Sequence, residues 1–344
     1  MASVSKEYQK KGEVFQVRKY ILKRLLISIV ILFFVAFICY ALMRCLPTSY
    51  IEQVARSKSM QPNSKTFEEW MEQLTAMYNM DKGIIAGYFS WLGSFFTGQF
   101  GDSWFYTKPV IDVFNDSVWI SFIMGVISFV LEIVIAIPLG IIAATRQNSR
   151  TDYTISVIAL AGISLPTFFF ASLLKLVFCV KLKWFDLFGL VSRNYNQLSA
   201  AGQFWDRAAH LVLPVVTLVV ISFGSLMRYT RTNMLEVLNA DYIRTARAKG
   251  LSERKVIYHH AFRNTLIPLV TIIGGSLPGL FSGALITETL YAIPGIGYVS
   301  YQAMVAGDIP FSMFYLVFLA ILTLLGNLIA DILYAVVDPR VRLS

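Results

Sequence analysis

VWISFIMGVISFVLEIVIAIPLGIIA, residues 118–143, decides the fold. It holds a single charge, Glu132, and is longer than the about 20 residues a helix needs to cross a ~30 Å hydrocarbon core. Its apolar residues run on without alternating, so it does not read as a barrel strand. In lipid that leaves the helix, which closes its backbone hydrogen bonds within itself. Working outward, the same signature recurs at 25–43, 154–180, 208–227, 266–287 and 311–336. The sequence therefore predicts an all-α, polytopic membrane bundle of about six transmembrane helices. A chain 56% hydrophobic and 15% charged fits this class better than a soluble domain, where those shares are about 45–50% and 25%.

The net charge of +9 invites a nucleic-acid reading, but its distribution answers it. With the N-terminus cytoplasmic, segments 1–24, 144–152, 228–264 and 337–344 hold 7, 2, 8 and 2 Lys or Arg. Segments 44–117, 181–207 and 288–310, on the other side, hold 6, 4 and none. Positive charge collects on cytoplasmic loops, and long loops are discounted in that count. The basicity is thus a topology signal with both termini inside, and no nucleic-acid partner is implied. The organisation is a basic tail (1–24) lying on anionic lipid headgroups, a first transmembrane helix (25–43), an extracytoplasmic loop region (44–117), a five-helix core (118–336) with a cytosolic insert at 228–265, and a cytosolic tail (337–344). Residues 25–43 exceed a signal-peptide core and lack an A-x-A cleavage site, so they read as a retained span.

In the 44–117 loop, Thr66 and Glu69 have capping-box spacing. Phe67, Trp70, Met71, Leu74, Met77 and Tyr78 follow on one helical face, and a second stripe runs Ile84, Ile85, Tyr88, Phe89, Trp91, Leu92, Phe95, Phe96. Such helices form an interfacial or outer cap. Glu132, Lys175, Asp331 and Glu288 are the charges in or near spans, where they are expensive unless they face the bundle or a wet cavity. Lys175 is near enough to the outer end to snorkel. Pro138, Pro166, Pro214 and Pro278 interrupt four spans. Glu132, Pro166 and Glu288 are the candidate translocation-pathway residues.

Catalytic signatures are missing. There is no GxxxxGK[ST], HExxH or GxSxG. Cys39, Cys45 and Cys179 form no CxxC pair, and His259 and His260, adjacent on a helix, point about 100° apart. No metal site, bound cofactor or catalytic residue is expected. The cytosolic insert carries the clearest function. ADYIRTARAKGLSERKVIYHHAFRNTLIP, residues 240–268, reads as a helix capped by Asn239 or Asp241 and ended by Gly250, then a second helix capped by Ser252 and running to about Asn264, with Pro268 opening the next apolar run. A bent, basic helix pair held between two spans is a docking surface.

That segment resembles the cytosolic coupling motif of inner-membrane permease subunits of ABC importers, in the dipeptide/oligopeptide/nickel branch. RKYILKRLL, FGDSWFYTKPVIDVF, IPLGIIAATRQNSRTDY, ISLPTFFFASLL and TETLYAIPGIGYVSYQAMVAGDIP arrive in that family's order, and the opening with its long first loop is similar to the oligopeptide permease B type. The chain departs from the family in having Arg244, Thr245 and Ala246 where the motif begins Glu-Ala-Ala, and Cys45-Leu46-Pro47-Thr48 where Pro-Gly-Asp-Pro is common. The resemblance implies a type I importer fold and a second homologous permease subunit beside this chain. It also implies two ATPase subunits carrying the ATP and Mg, and an extracytoplasmic solute-binding protein delivering peptides in a bacterial plasma membrane. It assigns ATPase coupling to Asp241, Tyr242, Arg244, Thr245, Ala246, Arg247, Ala248, Lys249, Gly250, Leu251 and Ser252, with His260, Arg263, Asn264 and Pro268 in the second coupling helix. Nickel or sugar cargo, an autonomous channel or ion-coupled carrier, and a membrane scaffold remain as alternatives, separable by what co-purifies with the chain.

Overall fold

The computed structural model describes the backbone of residues 2–45, 50–61, 65–77 and 80–337, and the side chains of 22–45, 50–61, 65–76, 80–266 and 268–330. The basic side chains of 1–21, Leu46 to Thr48, the side chains of Met77, Tyr78 and Asp331, and the tail from 338 lie outside those residues. Among the described residues the regular structure is helical, with one isolated bridge between Asp102 and Pro109. In chain order the helices are α1 (Ala2–Cys45), α2 (Tyr50–Ser59), α3 (Phe67–Met77), α4 (Ile84–Phe96), α5 (Val110–Thr145), α6 (Arg150–Ser164) and α7 (Thr167–Leu174). They continue with α8 (Ala200–Leu238), α9 (Asp241–Ala248), α10 (Glu253–Lys255), α11 (Arg263–Ser276), α12 (Leu285–Tyr291), α13 (Ile296–Ala306) and α14 (Ile309–Val337).

Among the described residues four helices are long and apolar enough to cross a membrane, or up to six where each of two bent pairs is counted as one span. The pairs correct the sequence reading. The run 154–180 is not one rod but two segments bent by 103° between Ser164 and Thr167. Pro166 removes a donor and pushes the residue before it out of the helical region; Leu165 sits at φ −77, ψ 126. The segments Glu253–Leu266 and Pro268–Phe281 meet at a 51° bend, and the run 266–287 passes through a 3₁₀ turn at Leu277–Phe281, which contains Pro278, before α12 begins separately. Pro138 and Pro214, read as interruptions, instead lie inside unbroken α5 and α8. Membrane helices tolerate such prolines when neighbours re-satisfy the freed carbonyl.

The chain divides into two compact units. The first is built from Met1–Val118 and Val299–Leu328. Its core sets Ala36, Tyr40 and Met43 of α1 against Tyr88 of α4 and Ile309, Met313 and Val317. The Tyr88 hydroxyl donates to the Phe33 carbonyl (2.8 Å), so α4 lies along the Phe33–Met43 half of the first span. Tyr88, Trp91, Leu92 and Phe95 face this core while Ile85, Phe89 and Phe96 point away, so the second stripe is split between two faces. The expected capping box forms: the Thr66 amide donates to Glu69 Oε2 (2.9 Å) and the Glu69 amide to Thr66 Oγ1 (3.3 Å). It starts α3, which packs Leu74 against Ile51 and Ala55 of α2.

The second unit, Trp119–Tyr298, is organised on α8. Helices α6 and α8 cross closely because each presents a glycine. A Cβ at Gly162 would collide with the Val220 carbonyl, and one at Gly224 with the Ala159 carbonyl. Small residues at such crossings let backbones approach where no hydrophobic force separates helix from lipid.

Candidate coupling surface and membrane cleft

Helix α9 begins without a side-chain cap. Ala240 is its N-cap, and Asn239 instead closes α8, with Nδ2 donating to the Leu235 carbonyl (2.9 Å). Asp241 lies inside the first turn, where its charge suits the helix dipole and meets Arg244 at 3.5 Å. Ile243 and Ala246 are buried among Ile141 and Ala144 of α5, Met234 of α8, Val256 and Ala261, with Leu251 packed at the edge. Ala246, expected on the docking face, therefore serves the chain's own core, because the i, i+3 stripe it shares with Ile243 is the apolar one. The opposite face exposes Tyr242, Arg244, Thr245, Ala248 and Lys249. Burial, then the charge of Glu236, pushes the Tyr242 phenol up.

Gly250 adopts φ +75, and a Cβ there would meet nothing within 4 Å. Its role is conformational: the left-handed turn that ends α9. Arg247 reaches across that turn to Glu253 (Nε–Oε1 2.9 Å). Ser252 is the N-cap of α10, but its hydroxyl caps nothing; its carbonyl accepts from the Val256 amide (3.0 Å). The second helix does not stop at Asn264. It passes through a wide turn at Val256–Phe262 directly into α11, where Pro268 lies in the interior. The Asn264 side chain donates to the His260 carbonyl (2.7 Å), and Arg263 is exposed. The His259 and His260 rings stand at 87°, and among the described residues no group of three potential ligands could hold a metal.

Beside this surface lies an ion pair that the sequence reading missed. Asp152 is buried at the start of α6 and accepts two hydrogen bonds from Arg231 of α8, each 2.7 Å, plus the Asn148 amide (3.0 Å). It locks the α5–α6 turn to the helix that carries α9. A carboxylate and a guanidinium 79 residues apart leave no local pattern.

The three pathway candidates do not share a cavity. Glu132 lines two adjoining clefts of about 470 and 230 Å³ between α5, α8 and the 272–284 region, with Ser222 as a neighbour. Pro166 is exposed at the α6–α7 bend. Glu288 is fully buried. It accepts from the Ser121 hydroxyl (2.6 Å), the Ala284 amide (2.9 Å) and the Tyr298 amide (2.8 Å), while Ser121 accepts from Ile296 (2.8 Å). Ser121 and Ala284 line the smaller cleft, so Glu288 stands behind its wall and holds the loop around Pro294. The Lys175 ammonium is bound by the Leu290 carbonyl and lies 3.8 Å from the Phe188 ring centroid.

Asp308 does similar work in the first unit. It accepts from the Ser103 hydroxyl and from the amides of Phe105 (3.1 Å) and Phe311 (3.2 Å). Burial raises its carboxyl above the usual range while those bonds pull it back. The 100–109 segment is tied again where the Tyr106 hydroxyl donates to the Val299 carbonyl (3.1 Å).

Residues 136–343 match the family described as binding-protein-dependent transport system inner membrane component. The chain is 35% identical over 94% of its length, and 99% of the relative's, to the oligopeptide transport system permease protein AppB of Bacillus subtilis. It is 33% identical, with the same coverage, to the oligopeptide permease OppB of Salmonella typhimurium and the dipeptide permease DppB of Lactococcus lactis. Among solved structures, a chain from the inward facing MetNI methionine ABC transporter shares the fold, with a TM-score of 0.50 at 20% identity, over 67% of this chain and 98% of that one.

Proposed function

The chain belongs to the inner membrane components of binding-protein-dependent transport systems, and from that premise we propose that it is one of two paired permease subunits of an ATP-driven importer of oligopeptides or dipeptides. The observation that carries the reading is its 33–35% identity, end to end, with permeases named for those cargoes. An extracytoplasmic solute-binding protein delivers the peptide, and two ATPase subunits bind ATP and Mg below. This chain has no catalytic part. Both termini are cytoplasmic.

The exposed face of α9 is the seat for one ATPase. Tyr242, Arg244, Thr245, Ala248 and Lys249 offer an aromatic ring, small residues and positive charge, while Ile243 and Ala246 root the helix in α5 and α8. Closure of the ATPases pulls α9, and the Asp152–Arg231 pair passes that movement to the α5–α6 turn, consistent with the rocking of alternating access. The test is purification in mild detergent followed by reconstitution with ATP and labelled tetrapeptide. Recovery of a second permease with two ATPases, and uptake that requires ATP, is the expected result. Uptake by the isolated chain would point to a channel or carrier, and a bound soluble partner without any uptake to a scaffold.

A further inference from the structure

Glu132 is the one acid in the apolar run 118–143, and the structure gives it a setting that the coupling role does not use. It lies where two clefts adjoin, about 470 and 230 Å³. Both volumes together fall in the range of small-molecule sites. The walls carry hydroxyls from three helical segments: Ser128 of α5, Ser222, Ser225 and Tyr229 of α8, and Ser276 of α11. Among the described residues no Lys, Arg or His lines either cleft. A carboxylate at membrane depth is retained where a partner or a cavity serves it, and here the described walls supply a cavity and no partner charge. An ammonium has three donors and no acceptor; one carboxylate among hydroxyl oxygens is its complement, and the same walls disfavour a carboxylate guest.

We propose that this cleft receives a primary ammonium group of the cargo, with Glu132 as counter-ion and the serine hydroxyls as further acceptors. The inference rests on the peptide-importer reading above. Two sources offer that group on a peptide, the free amino terminus and a lysine side chain, and the test separates them.

The full complex, with its binding protein, is reconstituted in proteoliposomes with three labelled pentapeptides: a lysine-free peptide with a free amino terminus, its N-acetylated form, and an N-acetylated form containing one lysine. Uptake is normalised to peptide loaded on the binding protein, which removes selection at that step. The expected result is that a free amine speeds uptake, and that Glu132→Gln cuts this advantage at least about tenfold, as loss of a charge-assisted bond does, whereas Glu132→Asp keeps most of it. If the amino terminus is the guest, the first peptide alone gains; if any primary ammonium serves, the lysine peptide gains too. Ser225→Ala supplies a second reading, a loss of about threefold, should the Gln variant fail to assemble. An advantage that survives Glu132→Gln, or an equal slowing of all three peptides, overturns the proposal. Wild-type complex that takes up none of the peptides would instead sink the importer reading itself.

Discussion

At the scale of single residues, two acids of the 288–310 segment explain what a sequence can and cannot announce. Glu288 and Asp308 are both fully buried, and each gathers hydroxyl and amide donors from a distant segment. Read from sequence, Glu288 looked like a pathway residue, because a lone carboxylate near a span is written the same way whether it faces water or backbone amides. The donors that decide the matter, Ser121 and the amide of Tyr298, lie 167 and 10 residues away. Glu288→Gln tests the structural role. The amide keeps the volume but presents a donor to a site built of donors. We expect a loss of about 1–3 kcal/mol, read as a lower thermal midpoint of the purified subunit in detergent. An unchanged midpoint would mean that the carboxylate does not hold the loop.

At the scale of elements, local chemistry announces some caps and turns and not others: the side chains of Asn239, Asp241 and Ser252 do not cap α9 and α10. The capping box of α3 and the left-handed Gly250 follow from local chemistry, and both are present. The 103° bend at Pro166 was only half legible: proline announces a break, but its angle depends on how α6 and α8 pack. Which face of α9 turns inward was not legible either, since Ala246 is small enough for a docking face or a core, and Ile141 and Met234 decide it. Gly250 then yields a discriminating prediction. Because a Cβ would find open space there, a substitution suffers through its backbone and not its bulk. Asn, which tolerates the left-handed region, should retain most ATPase binding and transport, while Val should lose both by costing about 1–2 kcal/mol in the turn. ATPase co-purification and ATP-dependent uptake check it, and equal behaviour of Gly250→Asn and Gly250→Val would show that side-chain size matters there after all. The Asp152–Arg231 pair makes a companion case. Asp152→Ala strands a guanidinium that is three-quarters buried, which should destabilise the chain by about 3–5 kcal/mol, and Asp152→Ala with Arg231→Met should recover much of that midpoint loss. A double variant as unstable as the single one would rule out the stranded charge as the cause.

At the scale of the whole molecule, the class of fold was readable because lipid leaves so few options. Runs such as 118–143 form helices because lipid leaves backbone groups no other partner, and the excess of Lys and Arg supports the proposed orientation with segments 1–24 and 228–264 in the cytoplasm. The proposed sidedness of the loops rests on that charge argument, and it can be put to direct test. Cys39, Cys45 and Cys179 are free thiols and can be replaced by Ser. Single cysteines are then introduced at Met60, which is 76% exposed, and at Lys249, exposed at the end of α9. In intact cells stripped of the outer barrier, a membrane-impermeant maleimide should label Met60→Cys and leave Lys249→Cys untouched; in inverted vesicles the pattern should reverse. The prediction is asymmetric in what it can break. Labelling of Lys249→Cys from outside would put α9 on the side where no ATP is available, and the coupling role of Tyr242 and Arg244 would fall with it, whereas the helical fold, which depends only on hydrocarbon thickness and backbone satisfaction, would stand.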